Sequence, residues 1–163
     1  MKAGRERMRQ LLDWRATVWA GLTGGVVSLI LSILLSQAQL GAPWVFIRMI
    51  ASIVMGEQVM QLPVEFDLTI LAVGILVHLV ISMVLAVIIT TVLHRWGLII
   101  GLIGGALFGL AFYAINFYLL SYFFPWFYPL RNWMILYAHI AFGALVGGVY
   151  EMLEVEEFVP VEE

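Results

Sequence analysis

The sequence predicts an all-α integral membrane protein: a four-helix bundle with a short interfacial or re-entrant helix in its first outer loop. Three observations predict it. The 163 residues are 63% hydrophobic and only 12% charged, about half the charged share of an ordinary soluble domain. Four apolar segments, 16–36, 68–93, 97–122 and 133–150, contain no Asp, Glu, Lys or Arg. Each is long enough to cross a hydrocarbon layer of about 30 Å as a helix, the fourth only just. Lipid forces the helical form, because every backbone N–H and C=O must find a partner within the segment.

The first span, 16–36, follows a basic arm with Lys2, Arg5, Arg7, Arg9 and Arg15. A basic start, an apolar run and small residues at Ser36 and Ala38 also fit a cleaved signal over residues 1–38. The length of the run, and Glu6 and Asp13 among the basic residues, favour a retained helix. Segment 43–60 begins PWVFIRMIASIVMG, apolar but too short to span. Pro43 suits its first turn, and Arg48 and Ser52 share a face at i, i+4 spacing. Pro63, Glu65 and Asp67 mark an exposed link into the second span.

The arm holds five of the eight Lys and Arg residues, and Arg95 lies in the short link between spans two and three. The positive-inside rule then predicts both termini in the cytoplasm. Residues 151–163, with six glutamates, read as a solvated cytoplasmic tail. The link 123–132 contains Pro125 and Pro129, which prevent continuous helix. Tyr122, Trp126, Tyr128 and Trp133 are expected at headgroup depth as an aromatic belt, with Arg131 and Asn132 as the polar turn.

Small residues recur along every span. Gly97, Gly101, Gly105 and Gly109 form three overlapping GxxxG steps on the third. Gly21 and Gly25 do so on the first, and Gly143 and Gly147 on the fourth. Such faces allow close backbone packing, within one bundle or between copies. GLTGGV (21–26) resembles GLIGGA (101–106), and VHLVISMVLA (77–86) resembles AHIAFGALVG (138–147). His78, Ser82 and Ala86 thereby match His139, Gly143 and Gly147. The pattern predicts a duplicated helical hairpin related by an axis along the membrane normal.

At 1.5 Å per residue, His78 lies about 15 Å below Leu68 and His139 about 9 Å below Trp133. Both sit on small-residue faces, so both should point inward, with Asn116 in the same half of the membrane. Inward polar groups either bond helix to helix or carry function. Interhelical bonding needs no ligand; axial ligation of a b-type haem by His78 and His139, or metal binding, is the sharper alternative. Two histidines are too few for a closed zinc site, and no cysteine is present. His94, beside Arg95 and Trp96, reads as an interfacial residue. No carboxylate or lysine lies within a span, which disfavours ion coupling. No phosphate-binding glycine loop, HExxH or GxSxG occurs.

The stretch INFYLLSYFFPWFYPLRNWMILYAHIAFG (115–143), with GGALFGLAFYA (104–114) before it, resembles the YagU-like small bacterial inner-membrane proteins, relatives of which carry a sodium:proline symporter label. Asn116-Phe117, Phe124-Pro125-Trp126-Phe127, Arg131-Asn132-Trp133 and Ala138-His139 carry the resemblance. It implies a helical protein of the bacterial inner membrane and supplies no catalytic residue. A sodium:proline symporter is far larger, with many more helices.

These readings give a non-enzymatic membrane protein without a required cofactor, an accessory or oligomer-forming subunit packing through its glycine faces. Its expected partners are the bilayer and a second copy or another membrane subunit, and no nucleic acid. The Pro125, Trp126, Arg131, Asn132 and Trp133 hairpin is a docking candidate. A haem-b or metal-binding electron carrier is the first alternative, and a small passive channel or transporter subunit the second.

Overall fold

A computed structural model describes residues 8–160. Its helices are α1 (Trp14–Leu40), α2 (Trp44–Met55), α3 (Leu68–Leu93), α4 (Gly97–Ala114) and α5 (Trp133–Leu153). Two three-residue strands, β1 (Met8–Gln10) and β2 (Phe158–Pro160), flank them. Helices α1, α3, the Gly97–Tyr122 run and α5 are long and apolar enough to cross a membrane.

Asp13 starts α1, its Oδ1 accepting from the Arg15 and Ala16 N–H groups at 2.8 and 3.0 Å. Asp67 caps α3 through the Ile70 N–H, and Asn132 caps α5 through those of Met134 and Ile135. Each cap satisfies donors that a helix start leaves orphaned. Helix α4 starts differently. Gly97 stands at φ +76° and a side chain there would meet open space, so it makes the tight turn out of α3 rather than a close glycine contact, unlike Gly101, Gly105 and Gly109. Beyond Ala114 the helix continues as a π turn, Ile115–Leu119, and a 3₁₀ turn, Leu120–Tyr122.

The closest pairing is α4 on α5. A methyl group at Gly105 would strike the Gly143 carbonyl, one at Gly109 the His139 carbonyl, and one at Gly147 the Gly101 carbonyl. In the first hairpin Gly21 faces Ala86 and Gly25 faces Ser82. The two hairpins thus use matching positions: Gly21 and Gly25 correspond to Gly101 and Gly105, and Ala86 and Ser82 to Gly147 and Gly143. Gly24 joins the hairpins, packing on Val146 and Phe142 of α5. The glycine faces are therefore occupied inside one chain.

Helix α2 is enclosed on most sides rather than laid on the surface. Phe46, Ile47, Met49, Ala51 and Ser52 are buried, and Gly74 of α3 lets the Ile47 backbone approach. Arg48 turns away from Ser52's partners and donates to the Val59 and Glu65 carbonyls, both at 2.7 Å. It thereby fastens the 56–67 link to α2.

At the terminal face the described part of the tail, 151–160, is held against the start of the chain while Glu156 and Glu157 stay exposed. Helix α5 runs on to Leu153, and β1 pairs antiparallel with β2, Arg9 opposite Val159. Asp13 Oδ2 accepts from the Val155 N–H, and the Asp13 N–H donates to the Tyr150 hydroxyl. β1 and β2 therefore lie on one face; Lys2, Arg5 and Arg7 of the basic arm and Glu162 and Glu163 of the tail lie outside the described residues. His94 is buried at the end of α3, beside the turn into α4, its Nδ1 donating to the Thr91 carbonyl and its Nε2 accepting from Arg95 Nε.

Candidate functional site

Two packed clusters fill the bundle. Ala20, Ile89, Val146 and Tyr150 belong to the one toward the terminal face, and Phe46, Phe117, Phe127 and Ile135 to the other. Between them the helices part around a cavity of about 330 Å³, within the size range of small-molecule pockets. Its wall is largely apolar: Phe46, Met49 and Ile50 from α2, Ile81 and Leu85 from α3, Phe117 from the π turn, Phe142 from α5. Set into that wall are Ser28, Ser32, His78, Ser82, Asn116 and His139.

The three polar residues singled out by depth thus line one space. His139 donates from Nδ1 to the Ile135 carbonyl at 2.9 Å, so its Nε2 is the acceptor of the Asn116 amide at 3.2 Å. Tyr113 and Phe117 meet its ring edge-on. Asn116 lies in the π turn, a distortion concentrated at functional sites. His78 presents Nε2 to the Gly25 carbonyl at 3.0 Å, with Ser28 Oγ 3.4 Å away. A carbonyl only accepts, so that nitrogen carries the proton and Nδ1 is the lone pair. Phe46 packs edge-on against the ring.

Two residues were not legible as site residues. Ser32 and Ser82 are each 3% exposed, line the cavity, and have no hydrogen-bond partner among the described residues. Their rows of small residues were readable as packing faces, but the gap that frees their hydroxyls was not.

The outer hairpin divides in two. Trp133 and Tyr128 are exposed, as a belt requires. Arg131 lies over the rings of Tyr118 and Tyr128 at 4.5 and 4.2 Å to the centroids. Asn132 is the α5 cap, and Pro125 opens a 3₁₀ turn, Pro125–Leu130. Trp126, expected in the belt, turns inward instead. Its Nε1 donates to Ser52 Oγ at 2.8 Å, because a buried indole N–H needs an acceptor. Phe127 follows it in and, with Phe124 stacked on it, closes the cavity on that side. Phe-Pro-Trp-Phe is therefore a plug as well as a turn.

Comparison with protein-family models, curated proteins and solved structures gives no match.

The donor set suits haem poorly. His139 has the Nδ1–H···carbonyl bond typical of a ligating imidazole, yet Asn116 holds its Nε2. His78 uses its Nε2 proton on Gly25. Ligation through both Nε2 atoms would break both contacts. No group of three His, Cys, Asp or Glu comes together among the described residues.

Proposed function

We propose that this chain is a non-enzymatic, multi-pass protein of the bacterial inner membrane that binds a small molecule in the cavity between its two hairpins. Both termini face the cytoplasm. The observation that carries the reading is the space itself: about 330 Å³ of mostly apolar wall into which two imidazoles, an amide and three hydroxyls converge. A core built for packing alone would close over Ser32 and Ser82, as interiors elsewhere are close-packed. Sidedness is supported by the five basic residues before the first span, and the inner membrane by the YagU-like resemblance of residues 104–143.

An accessory role through glycine-mediated oligomers is less well supported, since Gly101, Gly105, Gly143 and Gly147 are covered by their own chain. A passive channel is less well supported too, because packed side chains close the axis above and below the cavity. Native mass spectrometry of the gently extracted protein tests the proposal. A bound mass is expected, falling at least ten-fold in occupancy in Ser82→Leu, which fills the cavity. A wild type that carries nothing, and acquires nothing when returned to native lipid, removes the reading. The absorption spectrum of the same sample checks the haem alternative; a Soret band lost in His139→Ala would reinstate it.

A further inference from the structure

The unengaged groups of the cavity are all uncharged. Ser32 and Ser82 offer hydroxyls without partners among the described residues, His78 Nδ1 an acceptor, and Asn116 Oδ1 another. No Asp, Glu, Lys or Arg lines the wall. A phosphate, carboxylate or ammonium group would be buried there without a counter-charge, at a cost that a neutral hydroxyl or carbonyl avoids.

The way in follows from the repeat. Of the two seams between hairpins, α1–α5 is shut by Gly24 against Val146 and Phe142. The matching residues at α3–α4 are Gly104, Leu85 and Ile81. There Gly104 meets Leu93 instead, beside the tight turn, and the two helices touch only sparsely beyond it. Leu85, Ile81 and Ile115 all line the cavity, and Ile115 is 45% exposed. The mouth is thus apolar and opens at the side of the bundle, within the membrane-spanning length.

We propose that the cavity takes an uncharged single-chain amphiphile, a hydroxyl or carbonyl head on a hydrocarbon tail, admitted from the hydrocarbon layer between α3 and α4. The head bonds to Ser32, Ser82, His78 and Asn116, and the tail runs out past Leu85 and Ile115. This rests on the cavity-binding reading above.

The test uses the full chain in lipid nanodiscs with three diazirine-tailed probes of equal chain length: a fatty alcohol, its phosphate monoester and its trimethylammonium analogue. The alcohol is expected to label cavity residues at least ten-fold more than either charged probe, and Ser32→Leu to abolish that labelling. Leu85→Trp, at the mouth, is expected to slow labelling about ten-fold. Thermal unfolding of each variant confirms that it is folded. Labelling of the cavity by no probe overturns the binding reading itself. Equal labelling by the charged probes overturns the ligand class, and a wild-type rate in Leu85→Trp overturns the lateral route, each leaving the cavity as a site.

Discussion

At the scale of single residues, some polar side chains serve two partners at once. Asp13 is the clearest. One carboxylate oxygen caps α1 and the other accepts from the Val155 N–H. The Ala16 N–H bond is the largest influence holding its carboxyl below the ordinary value, aided by Val155 and Arg15 and opposed by partial burial. A depressed carboxylate stabilises the fold above its unfolded pKa, about 3.9. That contribution disappears as pH falls through the lowered folded value. Glu154 acts with the opposite sign. Desolvation raises its pKa, so its contribution is present at low pH and lost as pH rises through the raised value. Asp13→Asn keeps a capping oxygen but cannot accept from both sides. It should lower stability at pH 7 by about 1 kcal/mol, and flatten the loss on acidification between pH 5 and 2. Denaturant unfolding in detergent at both ends of that range checks the expectation.

At the scale of elements, hydropathy and backbone chemistry act separately, and this explains what the sequence could reveal. Spans were legible because lipid demands long uncharged runs, and the inward depth of His78, His139 and Asn116 because helical rise is fixed. The orientation of apolar side chains was not legible. Where every face of a helix is apolar, no periodicity marks the side that lines a cavity, so Ile81, Leu85 and Ser32 were indistinguishable from lipid-facing or packing residues. The inward turn of Trp126 depends on Ser52, 74 residues away, and the enclosure of α2 on the bare backbone beside Gly74. Nor did the GxxxG series distinguish Gly97, a turn residue, from Gly105, a contact residue. The distinction has a measurable consequence. Gly105→Ala drives a methyl group into the Gly143 carbonyl and should cost about 2–3 kcal/mol. Gly97→Ala meets open space and carries only the penalty of a left-handed backbone, about 1–2 kcal/mol. Unfolding midpoints of the two variants in one detergent should separate them in that order.

At the scale of the whole molecule, an asymmetric use of near-equivalent hairpins makes the site. One seam closes on glycine and the other packs only sparsely, so two hairpins that share a pattern of small residues leave a cavity between them. The terminal ribbon completes the other end. Since the native chain has no cysteine, an Arg9→Cys, Val159→Cys double variant should form an intramolecular disulfide under mild oxidation, read as a mobility shift on non-reducing gels. An Arg9→Cys, Gln61→Cys pair, spanning opposite faces, should not. Crosslinking of both pairs, or of neither, would show that the two ends do not meet as described.

That pairing of β1 with β2 has a topological corollary. From β1 to β2 the described chain is almost a ring: four membrane-length helices bring it back to the strand from which it set out. Joining its ends by a short flexible linker and cutting at the turn before Gly97 gives a circular permutant beginning with α4. Both new ends would emerge on the face that carries β1 and β2, with every helix still running in its original direction.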